Sequence, residues 1–107
     1  MKVLKFGGTS VGTPQRMKEV AKLITDGEKK IVVLSAMSGT TNSLVEISDY
    51  LYKKNPDGAN EVINALETKY KRHINELYST EEYKNKTLHL VKYIFNGIRA
   101  STKYICT

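Results

Sequence analysis

The sequence predicts an α/β fold in which a βαβ unit is followed by three helices, around a parallel sheet that is incomplete. Two observations carry that reading. Two short apolar runs, at residues 2–6 and 31–34, each end in a loop of small polar residues and are separated by one stretch of helical period. Three further helical patterns follow, and no third strand-like run. Two parallel strands do not make a sheet that is stable alone, and parallel sheets need helices on both faces. Strands are in deficit here and helices in excess, so the chain reads as the opening section of a larger open sheet. The division expected is a βαβ unit with both loops over 1–42 and a helical subdomain over 43–107.

The elements follow in order. Lys2-Val3-Leu4-Lys5-Phe6 is a buried strand stopped by Gly7-Gly8. Thr13-Pro14 is a helix start, with Thr13 as N-cap and Pro14 at the first helical position. Met17, Val20, Ala21 and Ile24 recur at helical spacing, and Asp26-Gly27 ends the helix, Gly27 taking the left-handed conformation. Ile31-Val32-Val33-Leu34 is apolar on both faces, as a strand covered by helices on each side should be. Strand, helix and strand give parallel pairing with a right-handed connection. A helix through Leu44, Val45, Ile47 and Leu51 is expected to be capped by Thr41 or Asn42. Asn55-Pro56-Asp57-Gly58 reads as a turn. A long helix then carries Ala59, Val62, Ile63, Leu66, Tyr70, Ile74 and Leu77 on one face. Ser79 or Thr80 caps a last helix bearing Tyr83, Leu88, Val91, Ile94, Phe95 and Ile98.

Composition narrows the function classes. No apolar run approaches the roughly 20 residues that span a membrane, and Lys2 and Lys5 interrupt the N-terminal apolar stretch, so it is no signal peptide. The lone Cys106 has no internal disulfide partner, which fits a reducing cytoplasm. The net charge of +6 admits nucleic-acid binding. The lysines, however, alternate with Glu61, Glu67, Glu76, Glu81 and Glu82, the pattern of solvated helix faces.

Both polar loops follow the C-terminal ends of strands, where open α/β sheets bind ligands. In Lys5-Phe6-Gly7-Gly8-Thr9-Ser10-Val11-Gly12, the glycines leave backbone amides open to a phosphate, and Thr9 and Ser10 add hydroxyls. The next helix aims its positive end at the same space, and Lys5 supplies a point charge within reach. The loop lacks the Gly-Lys-Ser/Thr of a P-loop and the dinucleotide spacing. On residue type alone, a phosphate cradle and a plain strand-to-helix turn stand level. In Ser35-Ala36-Met37-Ser38-Gly39-Thr40-Thr41-Asn42, hydroxyls surround an open glycine, a surface that suits a small anion or an amino acid, but taken alone this loop reads first as a helix cap. His73 and His89 have no second ligand at metal spacing and read as surface or core-edge residues.

Together, Lys5-Phe6-Gly7-Gly8-Thr9-Ser10-Val11 and Ser35 to Asn42 resemble the two N-terminal signatures of the aspartate kinases, members of the amino-acid kinase family. The resemblance implies an αβα sandwich and transfer of the ATP γ-phosphoryl group to the side-chain carboxylate of L-aspartate. It implies Lys5 as catalytic residue, Lys5, Gly7, Gly8, Thr9 and Ser10 at the ATP phosphates, and Ser35 and Thr41 at aspartate. It further implies Mg2+ with ligands outside this chain, a homo-oligomer in the full-length enzyme, and no nucleic-acid or membrane partner. The family's Gly-Glu pair has no counterpart, since Gly27-Glu28 precedes the second strand. The chain is therefore expected to be an N-terminal, by itself inactive, part of such an enzyme. The alternatives are a stand-alone phosphate- or nucleotide-binding module and a basic helical nucleic-acid binder.

Overall fold

The computed structural model describes residues 1–106 and, for Cys106, the backbone alone. The order is β1 (Lys2–Phe6), α1 (Pro14–Ile24), β2 (Lys30–Leu34), α2 (Thr40–Tyr52), α3 (Pro56–Leu77) and α4 (Glu81–Cys106). They form two compact units, Met1–Thr40 and the helices from Thr41 onward.

In the first unit, β1 and β2 pair in parallel, with Lys2 opposite Lys30, Lys5 opposite Val33 and Phe6 opposite Leu34. The α1 start is the one its sequence signals. Thr13 Oγ1 accepts the Arg16 amide at 3.1 Å, and Pro14 occupies the first helical position, where no amide is needed. The helix ends earlier than Asp26-Gly27. Thr25 Oγ1 donates to the Ala21 carbonyl at 2.7 Å, and this side-chain bond accompanies the departure from helical dihedrals at Thr25. Gly27 does adopt a positive φ of 82°, inside the loop. Asp26 accepts the Glu28 amide and pairs with Lys30; the Lys30 ammonium holds its carboxyl below the ordinary range.

The burial expected of β2 is not reached. Ile31 and Val33 are 50% and 45% exposed, and on the neighbouring strand Val3 is 66% exposed. By the register these three share one sheet face with Lys5. The opposite face carries Phe6 and Leu34, whose side chains border clefts with α1. Even there Leu34 stays 57% exposed, so the elements among the described residues leave both faces incompletely covered.

The second unit has its core where α2, α3 and α4 meet. Ile47, Ala59, Ile63, Leu66 and Phe95 are buried there, with Tyr50, Leu51, Val62, Tyr70, Val91 and Ile98 packed around them. Tyr70 and Phe95 meet in a tilted ring contact, centroids 5.9 Å apart. Glu67 and Arg99 join α3 to α4 at 2.6 Å, and Arg99 also donates to Asn64 at 2.7 Å. His73 is half-buried on α3. Desolvation lowers its pKa, and its Nδ1 is buried with no partner among the described residues.

Two expectations at the helix starts are corrected. α2 begins at Thr40, so Thr41 and Asn42 lie inside its first turn and do not cap it; the break is supplied by Gly39 at φ 88°. Asn55 to Gly58 is not a free turn but the start of α3. Asn55 caps it by accepting the Gly58 amide at 3.1 Å, and Pro56 takes the first helical position. Gly58 needs no positive φ. Instead a Cβ there would lie 2.5 Å from the Tyr50 ring. The left-handed residue is Lys54, at φ 58°.

Candidate functional site

The parallel register brings the two polar loops out at the same end of the sheet. The Ser35 amide donates to the Phe6 carbonyl at 3.0 Å, extending the ladder one residue beyond the end of β2. From there the first loop folds as two successive turns. The Ser10 amide donates to the Gly7 carbonyl at 3.0 Å, and that of Gly12 to Thr9 at 3.3 Å. Val11, buried, pins the loop to the unit's interior, and Pro14 is buried behind it. The second loop is pinned by buried Met37, whose carbonyl accepts the Thr40 amide at 3.1 Å.

The loops touch through their glycines. A Cβ on Gly8 would sit 2.9 Å from the Ala36 carbonyl oxygen and 3.5 Å from the Ser38 amide. On Gly12 it would sit 3.0 Å from the Gly8 carbonyl oxygen and 3.2 Å from the Ser38 Cβ. Real Cβ contacts almost never come closer than 3.0 Å, so the absence of side chains is what lets the loops lie together. Gly7 differs: a Cβ there would meet nothing within 4 Å, and the residue is exposed. The openness that the Gly-Gly pair suggests thus belongs to Gly7, while Gly8 is fixed by packing.

Thr9 is exposed and Ser10 half-buried beside the turn they form. The Ser10 and Gly12 amides are occupied within the loop, whereas those of Gly8 and Thr9 donate to no group among the described residues. Lys5 rises from the uncovered sheet face, one residue before the strand ends, and is exposed. The N-terminus of α1 has no acidic residue in its first turn, so its positive end is not offset from within. Arg16, in that same turn, lines a cleft of about 160 Å³ with Phe6 and Ser10. The sequence reading did not single it out; a basic residue one helical turn after the loop is the signal that was available. Ser35 is exposed and borders an apolar cleft of about 250 Å³ with Leu34, Met37 and Val20. Thr41 is exposed in the first turn of α2, in the second unit. Among the described residues no three His, Cys, Asp or Glu side chains gather as a metal site would need, and no helix is long and apolar enough to cross a membrane.

Glycine-built loops on parallel strands, a basic residue near a strand end and a helix N-terminus with no acidic residue in its first turn are the features that general chemistry associates with anion binding. The family model for the amino acid kinase family matches residues 1–99, and the chain belongs to that family. Among curated relatives it is 51% identical over 49 residues to "Aspartokinase 2, chloroplastic" of Arabidopsis thaliana, a stretch covering 44% of this chain and 9% of that protein. It is 43% identical over 56 residues to the aspartokinase of Pseudomonas aeruginosa, covering 49% of this chain and 14% of that protein. Against the "Bifunctional aspartokinase/homoserine dehydrogenase, chloroplastic" of Daucus carota it is 36% identical over 69 residues, 63% of this chain and 7% of that protein. The chain thus spans only a small part of the length of these relatives.

Proposed function

We propose that this chain is the N-terminal part of an aspartate kinase catalytic domain. It would serve transfer of the γ-phosphoryl group of ATP to the side-chain carboxylate of L-aspartate, giving 4-phospho-L-aspartate and ADP, the entry to lysine, threonine and methionine synthesis. The observation that carries the reading is the packing of Gly8 against Ala36 and Ser38, which joins both loops at one end of the sheet. The acceptor is inferred from the relatives, which are named as aspartokinases.

In this reading the open space at Gly7 admits the phosphates, the free amides of Gly8 and Thr9 and the hydroxyls of Thr9 and Ser10 donate to their oxygens, and Lys5 neutralises charge on the group in transit. Ser35 and Thr41 hold the amino-acid substrate. A carboxylate oxygen of aspartate attacks the γ-phosphorus in line, and the bond to the bridging oxygen of ADP breaks. Phosphoryl transfer asks the protein for position and charge neutralisation more than for a covalent intermediate. The residues described here do not compose a metal site. Magnesium, which neutralises phosphate charge in such reactions, would be held by groups outside this chain, and no step is assigned to it. The reading carries with it a cytoplasmic enzyme that is a homo-oligomer at full length and uses neither nucleic acid nor membrane.

The test is the whole gene product assayed with ATP, Mg2+ and L-aspartate, the acyl phosphate trapped as hydroxamate. Lys5→Met is expected to lower kcat by about 100-fold or more, the scale set by removing one transition-state charge contact, with thermal stability unchanged. Unaltered kcat in Lys5→Met would remove Lys5 from the catalytic role. The 107-residue chain assayed alone is expected to give no turnover above blank; robust turnover would refute its being an incomplete site.

A further inference from the structure

We propose that Asp26-Gly27 is a site of spontaneous covalent modification, at which the peptide bond migrates through a cyclic imide onto the aspartate side chain, and that Lys30 restrains the reaction. The Gly27 backbone nitrogen attacks Asp26 Cγ. An N–Cγ bond forms, and one carboxyl oxygen leaves as water together with the amide proton. Water then adds to the Asp26 main-chain carbonyl and breaks its bond to the Gly27 nitrogen. The chain now continues through Cγ as isoaspartate, and the former main-chain carbonyl is a free carboxylate. The water lost in the first step is regained in the second, so the change is an isomerisation and needs no co-reactant.

The sequence holds three pairs in which an acidic or amide side chain precedes glycine: Asp26-Gly27, Asp57-Gly58 and Asn96-Gly97. Glycine in the second position favours the attack, because no Cβ crowds the approach to Cγ. By residue type Asn96-Gly97 should react first, since a neutral amide is a better electrophile than an ionised carboxylate. The structure reverses that order. Gly97 lies inside α4, where the i→i−4 ladder engages its amide. Gly58 lies in the first turn of α3, its amide donates to Asn55 Oδ1 at 3.1 Å, and it packs closely on the Tyr50 ring. The Gly27 amide, between α1 and β2, donates to no group among the described residues. Gly27 has a φ of 82°, and a Cβ there would meet nothing within 4 Å, so the loop has room to bring nitrogen and carboxyl together.

What holds the reaction back is the company of the carboxylate. Asp26 Oδ1 accepts the Glu28 amide at 3.0 Å and pairs with Lys30 Nζ. The Lys30 side chain is 6% exposed, and its ammonium also donates to the Ile24 carbonyl at 3.3 Å. The pair is therefore anchored to the end of α1 and not to a free chain. A charge-assisted bond of this kind keeps the carboxyl ionised, and an ionised carboxylate has no leaving group to release. Lys30 is also the first residue of β2, opposite Lys2. The extra backbone carbon of isoaspartate would fall between α1 and this first rung of the sheet.

The test is to age the whole gene product at neutral pH and map its peptides, locating isoaspartate by enzymatic methylation of its free carboxylate and deamidation by mass. Isoaspartate is expected at position 26 before any change at 57 or 96. Aged unfolded in urea, the same protein should reverse the order, with Asn96 reacting first. Lys30→Met is expected to raise the rate at 26 by roughly threefold, the scale of a partly exposed ion pair, with 57 and 96 unchanged. Reaction at 57 or 96 ahead of 26 in the folded protein, or none at 26, would overturn the proposal. An unchanged rate at 26 in Lys30→Met would remove Lys30 from the restraint. A parallel rise at all three positions would do the same, because it would mark general unfolding.

Discussion

Gly7 and Gly8 are adjacent in sequence and have different surroundings. Gly8 lies against the Ala36 carbonyl, whereas Gly7 faces open space. Gly8→Ala should therefore destabilise the protein by about 1–3 kcal/mol, the usual cost of overpacking, in urea unfolding, while Gly7→Ala should change stability little. Equal effects of the two would contradict the packing described. The sequence made both glycines legible as a loop signal. It did not separate their roles, because the partner of Gly8 comes from the loop after another strand. Glu67 and Arg99 were likewise invisible as a pair, being read only as charges on separate helix faces. The Arg99 guanidinium, by its hydrogen bond, holds the Glu67 carboxyl below the ordinary glutamate range, against the opposing pull of burial. A depressed folded-state pKa means that this stabilisation is present above about pH 4.3 and is lost as pH falls through the folded-state value. Arg99→Ala should cost about 1.5–3 kcal/mol at pH 7, the range for hydrogen bonds to charged groups. The gap from the parent protein should narrow in urea titrations toward pH 3.

Between α2 and α3, a few residues close one helix and open the next. The Lys54 amide donates to Leu51 at 3.0 Å and the Asn55 amide to Tyr50 at 2.9 Å, the paired bonds that finish a helix with a left-handed residue. Lysine stands at that position in place of the usual glycine. Asn55 then turns its side chain to the next helix as N-cap. Asn55→Ala should lower stability by about 1 kcal/mol, whereas Lys54→Gly, relieving the positive φ, should not lower it; thermal unfolding of both variants checks the contrast. Asn-Pro-Asp-Gly is ambiguous in sequence, since the same residues build free turns and helix starts. Here the long apolar pattern of α3, reaching back to Ala59, decided for the helix. The start of α1 was legible because Thr13 and Pro14 gave two agreeing signals. Its end was not, because a threonine hydroxyl competing for a carbonyl leaves no periodic trace.

Across the whole chain, the deficit of strands was legible and the structure carries its consequence: a two-stranded parallel sheet whose apolar residues stay exposed, Val3, Ile31 and Val33 on one face and Leu34 on the other. The pairing of the two loops followed from the βαβ pattern. Which apolar residues of α4 pack inward was not legible, because only the packed helix separates Val91, Phe95 and Ile98 from the exposed Leu90, Tyr93 and Ile94. The central claim is that these loops belong to a kinase whose acceptor is aspartate. Its most direct measurement is ADP release by the whole gene product, with ATP and Mg2+, in parallel with L-aspartate, L-glutamate, N-acetyl-L-glutamate and uridylate. The account predicts turnover with L-aspartate at least about 100-fold above every other acceptor, a ratio within reach of a site that hydrogen-bonds its substrate. Turnover with a different acceptor, or none with aspartate while another is phosphorylated, would contradict it.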